Sequence, residues 1–112
     1  MLTSVAETDE FVRRASGLLT DDEHKALIDL VSGNPEIGVS LGAGIRKFRF
    51  ARPGGGKSSG YRVIHFYRPD NFTPAILLLI YPKNLQDTLT PIQLSRLKAL
   101  GEAIAESYRS RE

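Results

Sequence analysis

The chain has 112 residues, of which 41% are hydrophobic and 25% charged, and a formal net charge of +2. These values are typical of one globular domain, which we assign to residues 1–112. The absence of cysteine excludes disulfides, thiolate metal sites and a cysteine nucleophile. The longest uncharged apolar run, residues 75–81, is far shorter than the roughly 20 residues of a membrane span. The N-terminus has no signal-peptide pattern, so we expect a cytoplasmic protein with no membrane partner.

The charges are strongly segregated along the chain. Residues 1–42 carry a net charge of −5, whereas residues 43–68 contain seven cations and no acid. The seven cations are Arg46, Lys47, Arg49, Arg52, Lys57, Arg62 and Arg68. Such a segment is typical of a surface that binds a polyanion. The alternative is a basic hairpin that is simply well solvated.

The first third of the chain predicts a short strand and two helices. Residues 3–7 predict the strand, and Thr8 is a suitable N-cap for a helix with Phe11, Ala15 and Leu18 on its apolar face. A capping box at residues 20–23 begins a second helix. Its apolar face comprises Leu27, Leu30 and Val31. Residues 34–44 predict a loop.

The middle of the chain changes to the period of two that is typical of strands. Residues 45–51 and 61–68 predict two strands, and residues 75–81 predict a third strand, apolar on both faces and therefore interior. A capping box at residues 90–93 begins the last helix. We therefore predict an α+β fold, in which two N-terminal helices and one C-terminal helix pack on one face of a small antiparallel sheet of three to four strands.

The sequence lacks the residue patterns that most classes of enzyme need. His24 is expected to be solvated, and His65 is expected to be half-buried with its hydrogen bonds satisfied. There is no HExxH motif, EF-hand loop or histidine pair at ligand spacing, so no metal site and no cofactor are predicted. The basic segment contains no acid, so a catalytic pair of carboxylates is also rejected. Residues 54–58 resemble the end of a phosphate-binding loop, but no helix follows them, and we reject that interpretation.

Four cations on or beside the predicted strands are candidates for chemistry on RNA: Lys47, Arg49, Arg62 and Lys83. Cleavage of RNA by its own 2′-OH requires removal of that proton, stabilisation of the phosphorane and protonation of the leaving oxygen. Arginines stabilise the phosphorane without a metal. Neighbouring cations lower the pKa of a lysine, and a lysine with a lowered pKa can act as a general base. The alternative is a patch that binds RNA phosphates without cutting the strand.

Five segments together resemble a known family. They are residues 5–11 (VAETDEF), 44–50 (GIRKFRF), 57–64 (KSSGYRVI), 79–84 (LIYPKN) and 89–91 (LTP). In this order and spacing, and in the predicted arrangement of elements, they resemble the RelE/HigB-like toxins of bacterial type II toxin–antitoxin systems. The resemblance covers nearly the whole chain.

The resemblance implies a microbial-ribonuclease-like fold and a metal-independent mRNA endoribonuclease that cuts codons on the ribosome and so inhibits translation. It implies a cognate antitoxin, often with a helix-turn-helix domain, and operator DNA binding only through the toxin–antitoxin complex. The implied catalytic residues are Lys47 as general base or phosphate contact, Arg49, Arg62 as transition-state stabiliser, and Lys83. The remaining cations of the basic segment, namely Arg46, Arg52, Lys57 and Arg68, are expected to bind RNA.

Two departures from the family concern the general acid. Asn84 stands where some relatives have an arginine, and the C-terminal catalytic tyrosine has no match, so the general acid is unassigned. Lys83 or ribosomal RNA are the candidates. The alternative function is a non-catalytic homologue that binds antitoxin and operator, or a basic RNA-binding domain. In either case we expect RNA on the sheet face that carries Lys47 and Arg62, away from the acidic helices.

Overall fold

The described part of the chain forms three helices and a five-stranded sheet. The computed structural model describes residues 2–51, 60–70, 72–83 and 89–110. In chain order the elements are β1 (Val5–Glu7), α1 (Asp9–Leu18), α2 (Asp21–Gly33), β2 (Val39–Gly42), β3 (Ile45–Phe50), β4 (Tyr61–Phe66), β5 (Ala75–Pro82) and α3 (Pro91–Arg109). This order confirms the α+β class that the sequence predicts.

The strands are arranged in the order β1-β5-β4-β3-β2. Strands β2 to β5 pair antiparallel, which confirms the predicted meander. By contrast, β1 pairs parallel with β5, with Val5 opposite Ala75. The expectation of a purely antiparallel sheet of three to four strands is therefore wrong in strand number and in this one pairing. No turn joins two strands so far apart in sequence, so no local signal reports their pairing.

Strand β2 lies within residues 34–44, where the sequence predicts a loop. Its four residues include none that is buried, and β2 forms one edge of the sheet. The strand has only four residues and lies among Gly38, Gly42 and Gly44, whose turn signals favour a loop, which explains the wrong prediction. Gly42, Ala43 and Gly44 have φ values of 93°, 54° and 84°, and so turn the chain directly from β2 into β3.

Three threonines begin the three helices, as predicted. The hydroxyl oxygens of Thr8, Thr20 and Thr90 accept hydrogen bonds from backbone N–H groups three residues later. Thr20 and Thr90 each complete a capping box, with Glu23 and Gln93 respectively. These caps fix where α1, α2 and α3 begin, and thus how each helix lies against the sheet.

Helices cover both faces of the sheet, so the expectation that all three pack on one face is wrong. On the first face, Phe11 of α1 and Leu27 of α2 pack with Phe48 and Val63. On the opposite face, Ala105 of α3 packs among residues that include Ile64. We call these the α1/α2 face and the α3 face. All six residues of β4 are buried, because β4 is the middle strand of a sheet covered on both sides.

Three side chains differ from expectation in how deeply they are buried. The His24 ring is half-buried rather than solvated, and its Nε2 contacts a Glu7 carboxylate oxygen at 2.5 Å. His65 is fully buried rather than half-buried; its Nε2–H donates to the Pro35 carbonyl at 2.7 Å, and burial lowers the pKa of the imidazole. Leu30 is 38% exposed, since α2 turns only its other apolar residues towards the core.

None of the helices in the described ranges combines the length and apolarity needed to cross a bilayer.

Candidate nucleic-acid interface

The strand register places two arginines directly opposite each other on the α3 face. Arg49 of β3 pairs with Arg62 of β4, and Arg62 pairs with Tyr81 of β5. Side chains that are directly opposite on neighbouring strands have Cβ atoms about 5 Å apart. Arg49, Arg62 and Tyr81 therefore form one row across three strands, and we call it the Arg–Arg–Tyr row.

Lys47 lies beside this row on the same face. It precedes Arg49 by two residues in β3, and residues two apart in a strand point to the same side, about 7 Å from each other. Lys47 is half-buried and pairs with Ile64 of the α3 core. We call Lys47, Arg49 and Arg62 the cationic cluster; the structure brings these three predicted site residues together.

The three cations differ in their exposure. Arg62 is only 8% exposed, whereas Arg49 is exposed. A guanidinium carried by a buried side chain sits in a medium of lower effective dielectric than water, which strengthens its attraction for an anion. Its planar fork also fits two oxygens of one phosphate. The cluster thus combines one buried and fixed cation with two more accessible ones.

Helix α3 approaches the sheet closely at the end of β4 that lies away from the cationic cluster. Gly101 of α3 lies so close to Phe66 that a Cβ there would be 2.4 Å from Cδ2 of the ring. Phe66 ends β4, four residues beyond Arg62, which is about 13 Å along a strand. This close contact between helix and sheet is therefore at the opposite end of β4 from the cationic cluster.

Lys83 directly follows β5 and is exposed. It lies two residues beyond Tyr81, and thus at the same end of the sheet as Arg49 and Arg62.

Two of the four predicted RNA-binding residues lie away from the cluster. Arg46 points to the α1/α2 face, where its guanidinium donates to the carbonyls of Ile37 and Gly38 at 3.3 and 2.9 Å. Arg68 follows β4 at the far end of the sheet, pairs with Glu102 of α3 and lies over the Phe66 ring. Both arginines thus hold neighbouring segments in place. Arg52 and Lys57 lie outside the described residues.

The described residues contain no group of three or more His, Asp or Glu side chains that could hold a metal ion. The described residues of the Arg–Arg–Tyr row and Lys47 offer cations and one phenol. Such a set binds phosphate oxygens and stabilises negative charge that develops on them.

Tyr81 is the residue that sequence reasoning missed. It was treated as the end of an apolar strand, yet it is the cross-strand neighbour of Arg62 and is 4% exposed. Its role follows from the strand register. Tyr81 lies opposite Arg62 because the register between β4 and β5 shifts at the bulge between Ile64 and His65. A sequence alone does not contain that bulge.

Comparison of the chain with protein-family models gives a match over residues 4–111. The matching model is described as the RelE toxin of the RelE / RelB toxin–antitoxin system. The match covers nearly the whole chain, including every strand and helix that positions the cationic cluster.

Proposed function

This chain belongs to the RelE family of toxins from toxin–antitoxin systems, and we propose that it cuts messenger RNA on the translating ribosome without a metal ion. The observation that carries the proposal is the cationic cluster, with Arg62 buried between Arg49 and Tyr81 on one face of the sheet. The proposed place of action is the cytoplasm.

The proposed reaction is attack of a ribose 2′-OH on the adjacent phosphate. Arg49 and Arg62 face the phosphate from neighbouring strands, and their N–H groups bind the oxygens that gain charge in the phosphorane. Because strand pairing fixes both backbones, the two guanidinium groups need little reorganisation as the charge develops.

Proton transfer is assigned to residues beside the arginines. Lys47, half-buried on the same face, is the proposed general base for the 2′-OH or a contact to its phosphate. Lys83 is the proposed donor to the leaving 5′-oxygen, with ribosomal RNA as the other source of that proton. Tyr81 contributes an aromatic ring beside Arg62.

The decisive experiment compares Arg62→Ala and Arg62→Lys with Arg109→Ala, which removes an exposed arginine from the last turn of α3. Each variant is induced in cells, and new 5′ ends on messenger RNA are mapped by primer extension. Loss of one preorganised donor is expected to slow cleavage about 10²–10³-fold in Arg62→Ala. Arg62→Lys keeps the charge but loses the fork and should be intermediate.

Arg109→Ala should cut as the wild-type protein does, and circular dichroism should show all variants folded. A folded Arg62→Ala protein that produces the same 5′ ends at the same rate contradicts the proposed role. If the wild-type protein arrests growth without new 5′ ends, the chain is a binding protein rather than a nuclease.

Membership in the family implies a cognate antitoxin. We propose that this antitoxin carries a helix-turn-helix domain, and that operator DNA is bound only by the toxin–antitoxin complex. A small neighbouring gene that encodes such a domain, and whose product neutralises the toxin when both are expressed, would support this. Operator binding by the isolated toxin would contradict it.

A further inference from the structure

One edge of the sheet is formed by a segment with little burial of its own. Residues 34–42 comprise the turn after α2 and strand β2, and none of them is fully buried. Strand β2 is the outermost strand of the sheet and pairs with β3. We call residues 34–42 the β2 flap. Segments with little buried surface open locally at a lower free energy than the rest of a fold.

Two side chains of the sheet hold the first part of the β2 flap. Nε2–H of His65 in β4 donates to the Pro35 carbonyl at 2.7 Å. The guanidinium of Arg46 in β3 donates to the carbonyls of Ile37 and Gly38 at 3.3 and 2.9 Å. All three acceptors belong to the flap and both donors to the central strands, so the flap closes over these two side chains.

The ring of His65 has no place for a second proton while the β2 flap is closed. Its Nε2 carries the hydrogen that is donated to Pro35, so Nδ1 is the atom that a further proton would occupy. Nδ1 is buried and has no hydrogen-bond partner among the described residues. The ring of Phe48 lies 5.5 Å from the imidazole in a T-shaped contact. A charged N–H group at Nδ1 would therefore be neither solvated nor paired.

The surroundings of His65 also favour its neutral form. Burial lowers the pKa of the imidazole below its usual 6.5, and the charge of Arg46, its cross-strand neighbour, lowers this pKa further, against the opposite effect of the Pro35 carbonyl. Glu36, the charged residue of the β2 flap, is exposed, and within the described ranges no carboxylate shifts the pKa of this ring. The other elements of this core contribute apolar residues, namely Phe11 and Ala15 of α1, Leu27 and Val31 of α2, and Leu77 of β5.

We propose that the β2 flap is a pH-sensitive device, which opens from the sheet when His65 takes up a proton. In the open form the ring reaches water and carries its charge without burying it, whereas the closed form keeps the ring neutral. The open form thus binds one proton more than the closed form. Closure is therefore most stable above about pH 6.5, and opening becomes more favourable as the pH falls below that value.

Hydrogen exchange followed by mass spectrometry measures this opening in the full chain. The protection of peptides that cover residues 34–42 is compared at about pH 7.5 and 5.5, after correction for the intrinsic effect of pH on exchange. Uptake of one proton with a pKa of 6.5 in the open form predicts about a tenfold loss of protection. The flap peptides should exchange well before those of β4 and β5, which marks the opening as local.

Two variants separate His65 from the other histidine of the chain. His65→Gln keeps an N–H donor for Pro35 but does not titrate, so the protection of its β2 flap should change little between the two pH values. His24→Gln removes the histidine of α2, which contacts Glu7, and should behave as the wild-type protein does. Arg46→Ala removes the donor of two hydrogen bonds to the flap and should lower its protection at both pH values.

A measurement on the wild-type protein needs no variant. The imidazole signal of His65 in NMR spectra should stay that of the neutral ring at pH 6.5. A His65 ring that is half-protonated at pH 6.5 while the β2 flap keeps its protection would overturn the inference. So would a flap whose protection does not change with pH, a loss that persists in His65→Gln, or equal protection of the flap and of β4. The experiment involves no RNA, so its outcome is separate from that of the cleavage experiment.

Discussion

The contact between α3 and the sheet predicts that two glycine-to-alanine substitutions in helices have opposite effects on stability. At Gly101 an added Cβ would lie 2.4 Å from Cδ2 and 3.0 Å from Cγ of Phe66. The ring has little room to yield, since it is fully buried and Gly44 also lies close to it: a Cβ there would be 2.7 Å from Cε2. At Gly17 an added Cβ would meet no atom within 4 Å.

The magnitudes follow from these contacts. Overpacking costs about 1–3 kcal/mol, and the better helix propensity of alanine returns about 1 kcal/mol. A contact as short as 2.4 Å places the cost in the upper part of that range, about 2–3 kcal/mol, so Gly101→Ala should lower the free energy of unfolding by about 1–2 kcal/mol. Gly17→Ala should raise it by up to about 0.5 kcal/mol, because position 17 is next to the end of α1.

Urea denaturation measures both changes in the free energy of unfolding. An unchanged m value shows that the substitution has not altered the surface exposed on unfolding. The double variant G101A/F66L tests the cause, because leucine lacks the ring edge that the methyl group meets. We expect Gly101→Ala to cost less in the Phe66→Leu background than in the wild-type protein. A Gly101→Ala protein as stable as the wild type would refute the packing argument.

Three further predictions concern other parts of the molecule. Burial lowers the pKa of His65 below its usual 6.5, and Arg46 lowers it further. Below about pH 6.5 the His65 imidazole binds a proton in the unfolded chain but not in the folded protein, so the free energy of unfolding should fall as the pH is lowered from about 6.5. The His65→Leu variant lacks this group, and its free energy of unfolding should fall less between about pH 6.5 and 5. Arg49→Ala should slow RNA cleavage about 10²-fold with little change in stability. Arg46→Ala should lower stability and leave the RNA affinity of the cationic cluster intact. Loss of cleavage in Arg46→Ala and loss of stability in Arg49→Ala would contradict the assignment of the two arginines to opposite faces. Thr90→Ala should cost about 1 kcal/mol in thermal unfolding, because it removes the N-cap of α3.

The helices and the central strands could be predicted from sequence because their signals are local. Each helix begins at a threonine cap, and β3 alternates between Phe48 on one face and Lys47 on the other. The parallel pairing of β1 with β5 could not be predicted, since it joins residues 5–7 to residues 75–77 without any intervening turn. Strand β2 could not be predicted either, since it has only four residues and the glycines around it favour a loop.

The candidate site could be predicted in its residue types but not in its full composition. The run of cations without acids and the two-residue spacing of Lys47 and Arg49 both point to one face of a strand. The neighbours of Arg62 depend on register, and the bulge in β5 decides that Tyr81 is opposite it. The separate positions of Arg46 and Arg68 depend on carbonyl and carboxylate partners from distant segments, which spacing does not reveal.

The Arg–Arg–Tyr row has a consequence for the timing of maturation during protein synthesis. Each of β3, β4 and β5 supplies one residue to it, and β5 is also the partner on which β1 depends. A nascent chain that has not yet released residue 81 therefore has neither a complete row nor a docked N-terminal strand. A translation product that stops before residue 81 therefore has neither the complete row nor the complete partner strand of β1.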